Sequence, residues 1–114
     1  MVINKEDFRT TYKPFDKEIV VEIIDIFIQE WPERYKELEK NIAVKDFESL
    51  RFNAHSLKGV VANFLAEGPK ELARQMEENG KNKNENNNKE ILEHLDAQIL
   101  EMIEELKVLR KDFL

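Results

Sequence analysis

Cysteine is absent from this chain, and glycine, proline and histidine are scarce, at three, three and two residues. Without cysteine there are no disulfides and no thiolate metal sites. That suits a reducing compartment, and the expected location is cytoplasmic. Strand-like alternation is also missing, and with so little glycine and proline the helix-favouring residues dominate. No apolar run approaches the roughly 20 residues of a membrane span. The opening "MVINKEDFRTTYKPF" carries acids early and has no apolar stretch, so it does not read as a signal peptide. Basic residues are scattered over a chain of formal net charge −6, which leaves no concentrated positive face for nucleic acid. What remains is a soluble profile, 37% charged and 41% hydrophobic over 114 residues. A folded chain of that length hides roughly two-thirds of its surface, enough for one domain over residues 1–114 with its own core.

The apolar residues fall at helical spacing. In "DKEIVVEIIDIFIQEW", Ile19, Val20, Ile23, Ile24, Phe27, Ile28 and Trp31 form a stripe behind an Asp16 cap. The stripe is too long for the strand that "IVVEII" suggests in isolation. Pro32 is expected to kink or restart this helix, and "PERYKELEKNI" continues in register. "AVKD" reads as a connector, with Asp46 capping a helix over about residues 46–64. There Phe47, Leu50, Ala54, Leu57, Val61 and Phe64 step by 3, 4, 3, 4 and 3, a bundle-packing seam. "AEGP" is a turn with Pro69 at the first position of a short helix that buries Leu72, Ala73 and Met76. "NGKNKNENNNKE" has nothing to bury and reads as an exposed, mobile loop. Asn87 and Glu90 match a capping box before a last helix to about Lys111. Its inner side is Ile91, Leu92, Leu95, Ile99, Met102, Ile103, Leu106, Leu109 and Phe113. Short connections predict an all-α, antiparallel up-and-down four-helix bundle, with "NKEDFRTTY" adding a short N-terminal helix.

One histidine stands out against this pattern. At about 100° per residue, His55 lies roughly 140° from the centre of its helix's seam and faces water. Glu48, Arg51, Phe52, Lys58, Gly59 and Ala62 share that outer face. Lys58 lies one turn on, Gly59 and Ala62 leave the backbone nearly bare, and Phe52 is a large apolar residue with no core to enter. Gly59 costs roughly 1 kcal/mol against alanine inside a helix. An imidazole is mostly neutral at pH 7 and is a usable nucleophile. A phosphoryl group on its ring nitrogen brings about two negative charges, some of which Lys58 could offset. No Gly-rich phosphate loop and no Asp cluster for magnesium is present, so the phosphate must come from another protein. His94, flanked by Glu90 and Gln98, has no such company and reads as a solvated surface residue. Arg51 and Glu48 also suit ordinary surface ion pairs, worth under about 1 kcal/mol.

"HSLKGVVANFLA" resembles the signature of histidine-containing phosphotransfer (HPt) domains, through His55, Leu57, Lys58, Gly59, Asn63 and Ala66. The seam and the helical layout extend the resemblance over nearly the whole chain. Two departures stand out: Leu65 takes the place of a usual glycine, and Val60–Val61 replace smaller residues. The resemblance implies a monomeric phosphorelay intermediate, not an enzyme in its own right. His55 would be the phosphoacceptor and Lys58 would stabilise the phosphoryl charge. Gly59, Phe52, Arg51, Ala62 and Glu48 would form the docking face. The implied partners are response-regulator receiver domains, which would bring the magnesium, and a hybrid sensor histidine kinase; no cofactor is implied here.

Two rival chemistries fail on the residues. A di-metal carboxylate bundle needs Glu-x-x-His pairs, but Phe52 and Ile91 stand three residues before the histidines. A kinase phosphoacceptor hairpin has an acidic residue after its histidine and an attached ATP-binding domain, whereas Ser56 follows His55. The remaining alternative is a helical interaction module that docks a receiver or another protein without taking up phosphate.

Overall fold

Three helices open where a short polar side chain takes up amides that the first turn leaves free. Asn4 accepts from the Asp7 amide at 3.1 Å and opens α1 (Lys5–Tyr12). Asp16 accepts from Glu18 at 2.8 Å and opens α2 (Lys17–Ala43). Asp46 accepts from Ser49 at 3.1 Å and opens α3 (Phe47–Asn63). α4 (Glu67–Lys81) and α5 (Asn88–Arg110) follow without side-chain caps, and a 3-10 turn spans Lys111–Phe113. The computed structural model describes all residues 1–114, and it is all-helical, with five α-helices and no strand.

Four local expectations need correction. Of the kink or restart expected at Pro32, the restart does not occur: α2 runs through it for 27 residues. The proline ring points to solvent, so the helix loses one hydrogen bond, to the Ile28 carbonyl, while the buried stripe on its other face holds it together. Its length of about 40 Å matches the 42 Å long dimension of the molecule. α4 begins at Glu67, which puts Pro69 at the third helical position, where an amide would have no partner in the helix anyway. The same helix runs on through Gly80 to Lys81, so the asparagine-rich loop is shorter than its composition suggests. Residues 82–87 are exposed as expected, yet side-chain amides tie them down. Asn79 Nδ2 donates to Asn88 Oδ1 at 2.8 Å, and Asn88, which is buried, donates to the Asn84 carbonyl at 3.0 Å. Finally, Asn87 is no capping box: it adopts φ +63°, not the extended backbone of a capping residue, and its side chain makes no cap hydrogen bond.

The helix ends explain how the chain manages with so little glycine. α2, α3 and α4 all finish in the same pattern of paired bonds. After α3, the Leu65 amide donates to Ala62 O at 3.0 Å and the Ala66 amide to Val61 O at 3.3 Å. After α2, Lys45 and Asp46 donate to Ile42 O and Asn41 O; after α4, Lys83 and Asn84 donate to Gly80 O and Asn79 O. This is the Schellman motif, whose left-handed residue is usually glycine. Here that residue is Lys45, Leu65 or Lys83, at φ 58°, 60° and 53°, while no glycine has positive φ.

The core lies where the helical stripes meet. α2 buries Val20, Ile24, Phe27 and Trp31; α3 buries Leu50, Ala54, Leu57 and Val61; α4 buries Ala73 and Met76. α5 buries every inner residue expected of it, and Phe113 follows in the 3-10 turn. Phe47 and Leu72 are only half-buried, and Ile19 is exposed. α1 is tied on by Phe8, which meets Phe113 edge-on at 6.0 Å, and by the Tyr12 hydroxyl, which donates to the Asn63 carbonyl. Buried Glu105 accepts from the amides of Val2 at 2.8 Å and Ile3 at 3.0 Å. The Arg110 guanidinium grips Asp25 through two bonds of 2.8 and 3.0 Å, linking α5 to α2.

Leu65 gives this account a test. A left-handed conformation costs a residue with a Cβ about 1–2 kcal/mol. Leu65→Gly and Leu65→Ala both lose the packing of the side chain beyond Cβ, but only glycine relieves the strain. Urea unfolding should find the glycine variant the more stable, by up to about 1 kcal/mol, the reverse of the usual order inside a helix. The opposite ranking would mean that the turn is not held as described.

Candidate functional site

The site begins at a close crossing between α3 and α4. A Cβ built on Gly80 would lie 2.7 Å from the Arg51 backbone nitrogen and 2.9 Å from its Cα. The two backbones therefore touch there, and only glycine fits. Arg51 lies four residues before His55 and Glu77 three before Gly80, so each pair shares one helix face. The crossing thus carries Glu77 up to the histidine.

His55 projects from the middle of α3, with its side chain 68% exposed, as the wheel predicts. Its Nδ1 lies 2.6 Å from Glu77 Oε2, and Lys58 Nζ lies 2.5 Å from Glu77 Oε1. Glu77 is the sheltered member, at 19% exposed. Burial pushes its carboxyl up, but hydrogen bonds from Lys58 and His55 and the charges behind them hold it below its ordinary value of 4.5. An ionised carboxylate only accepts, so Nδ1 must donate to it. The neutral ring then keeps its lone pair on Nε2, at the far edge, where no protein group bonds it.

The other expected residues fall around this pair in different ways. Lys58 is one turn from His55, but it is clamped rather than free. Nothing lies within 4 Å of a Cβ built on Gly59, so that glycine serves no helix crossing; Gly80 does. Ala62 is half-buried beyond it. Phe52 does not fold under a neighbour and stays 73% exposed. Arg51 and Glu48 are exposed, and neither forms an ion pair. Glu48, Arg51, Phe52, His55 and Glu77 line a shallow depression of about 300 Å³. His94 is exposed, in the second turn of α5. No three histidine, aspartate or glutamate side chains converge to hold a metal ion, and no helix is long and apolar enough to cross a membrane.

Two features went unread in the sequence. Glu77 is one of two adjacent glutamates on α4, and only the α3–α4 crossing distinguishes it. The second is an apolar groove of about 470 Å³ along α2, walled opposite by Val60 and Asn63 of α3 and by Phe64 at its end, just past Gly59. Phe15, Ile19 and Ile26 stand exposed in it. The sequence signal was available, because the apolar stripe of α2 is wider than one buried face requires.

An all-helical module that presents one oriented imidazole beside bare backbone and an apolar groove suits exchange of a group with a docked protein. The family model for the Hpt domain matches residues 22–108, and the chain belongs to the Hpt domain family. Membership implies phosphotransfer in two-component signalling. No curated protein and no solved structure matches the chain.

Two predictions follow from this geometry. Gly59→Ala meets no neighbour and gains helix propensity, so it should raise stability by about 1 kcal/mol in urea unfolding. If it also slows transfer from a partner, the glycine is there for the partner and not for the fold. Glu77 has a depressed carboxyl, so its contribution to stability is complete above 4.5 and is lost as pH falls through its lower folded value. Unfolding of the native protein and of Glu77→Gln should therefore differ at neutral pH and converge in acid. A gap that persists in acid would show that the glutamine variant loses packing, not charge.

Proposed function

We propose that this protein is a phosphorelay intermediate in which His55 accepts a phosphoryl group from the aspartate of a response-regulator receiver domain and passes it on in the same way. The observation that carries this reading is the free Nε2 on a solvent-exposed ring whose other nitrogen is held by Glu77. The Nε2 lone pair attacks phosphorus, the bond from phosphorus to the aspartyl oxygen breaks, and the aspartate leaves as a carboxylate. The new N–P bond puts positive charge on a ring that still holds its Nδ1 proton, and Glu77 faces that charge. Such a transfer needs positioning and charge stabilisation more than covalent machinery. The receiver supplies magnesium, and a hybrid sensor histidine kinase stands upstream, so the chain is not an enzyme by itself. It acts as a cytoplasmic monomer, with α2 to α5 as an antiparallel up-and-down bundle. The receiver docks over Phe52, the bare backbone at Gly59 and Ala62, and the groove along α2. A docking module that takes no phosphate would have no use for an oriented, unblocked ring nitrogen.

The test is incubation with a phosphorylated receiver domain. Native protein should acquire acid-labile label on His55. His55→Gln should take up none, while its stability stays within about 0.5 kcal/mol of native, as befits an outward residue. Label on the glutamine variant would remove His55 from its role.

A further inference from the structure

We propose that Arg51, and not Lys58, is the first cation to meet the phosphoryl group on His55. The inference rests on the phosphorelay reading above and concerns which residue binds the transferred group.

Three observations carry it. First, the charge of Lys58 is already engaged, because its Nζ lies 2.5 Å from Glu77. The Arg51 side chain is exposed and has no ion pair or hydrogen bond, so its guanidinium is available at no cost. Second, helical side chains lean toward the N-terminus and cover the preceding turn. By that rule the ring of His55 leans toward the turn that holds Arg51, while Lys58 Nζ stays on the second oxygen of the carboxylate that holds the ring. The depression beside the ring agrees: Arg51 lines it and Lys58 does not. Third, the Arg51 backbone is pinned against Gly80, so the guanidinium swings from a fixed base.

Charge completes the argument. Apart from His55, the ionisable groups lining the depression are Glu48, Glu77 and Arg51. A phosphoryl dianion entering there without Arg51 would face two carboxylates and no lining cation. A guanidinium also presents a planar fork that matches two phosphoryl oxygens, which an ammonium does not. Lys58 can turn to the phosphoryl group only as far as Glu77 releases it, so its part comes second.

A small donor separates this role from docking. Phosphoramidate carries its phosphoryl group on ammonia and needs no protein surface. The Nε2 lone pair attacks phosphorus, the donor's P–N bond breaks, ammonia leaves, and the ring keeps its Nδ1 proton. Labelling of the His55 peptide, followed by mass spectrometry, should be about tenfold slower in Arg51→Ala than in the native protein. Arg51→Lys, which keeps the charge and loses the fork, should fall between them, and Lys58→Ala should lose less than Arg51→Ala. Arg51→Ala keeps the Cβ that packs at Gly80, so the fold is retained. Native-rate labelling of Arg51→Ala, or slowing seen only with a receiver as donor, would overturn the proposal and leave Arg51 at most a docking residue. Native protein that takes no label on His55 would overturn the phosphorelay reading as well, a different result from either.

Discussion

The contact on which the site depends is the one between the backbones of α3 and α4 at Arg51 and Gly80. A single Cβ at position 80 would push these helices apart, because its nearest neighbours are backbone atoms that cannot swing aside. Interiors packed at crystalline density pass such a displacement along instead of absorbing it. Glu77 lies one turn from that crossing, and its two oxygens are at hydrogen-bonding distance from His55 and Lys58. A shift of one ångström would break both bonds. The orientation of the imidazole is therefore a consequence of how two helices cross, some distance from the ring itself.

The residues around the ring divide their tasks by burial. Glu77 is sheltered, ionised and doubly bonded, so it can hold one ring nitrogen while the rest of the ring stays in water. Lys58 neutralises Glu77 in the resting state. Without it, a sheltered carboxylate would lose its ammonium partner, which burial penalises. Phe52, Gly59 and the α2 groove are apolar or bare and contribute surface, not chemistry. The arrangement keeps one ring edge open to solvent and still fixes the proton on the other.

The placement of Gly59 and Gly80 shows the same economy. Three helices end in left-handed residues where glycine would be easiest, and none of them uses it. At Gly80, no other residue would allow the backbones to touch. At Gly59 the fold gains nothing from the missing side chain, which has open space before it. Local strain at Lys45, Leu65 and Lys83 is tolerated because each sits in a turn with two hydrogen bonds to close it.

Much of this was legible from local pattern alone. Apolar spacing marked the stripes of α2, α3 and α5, short acids marked the caps at Asp16 and Asp46, and the helical wheel put His55 and Gly59 on the outer face. These follow from backbone geometry that every helix shares, so one chain segment carries all the information. Composition misled where a tertiary contact overrode it: "NGK" reads as loop, yet Gly80 is helical and buried because Arg51 packs on it. Glu77's place and the clamping of Lys58 could not be read at all, and the wide apolar stripe of α2 hinted at a groove without saying what walls it. Each depends on the distance and rotation between two helices, and those are decided only when all the stripes pack together.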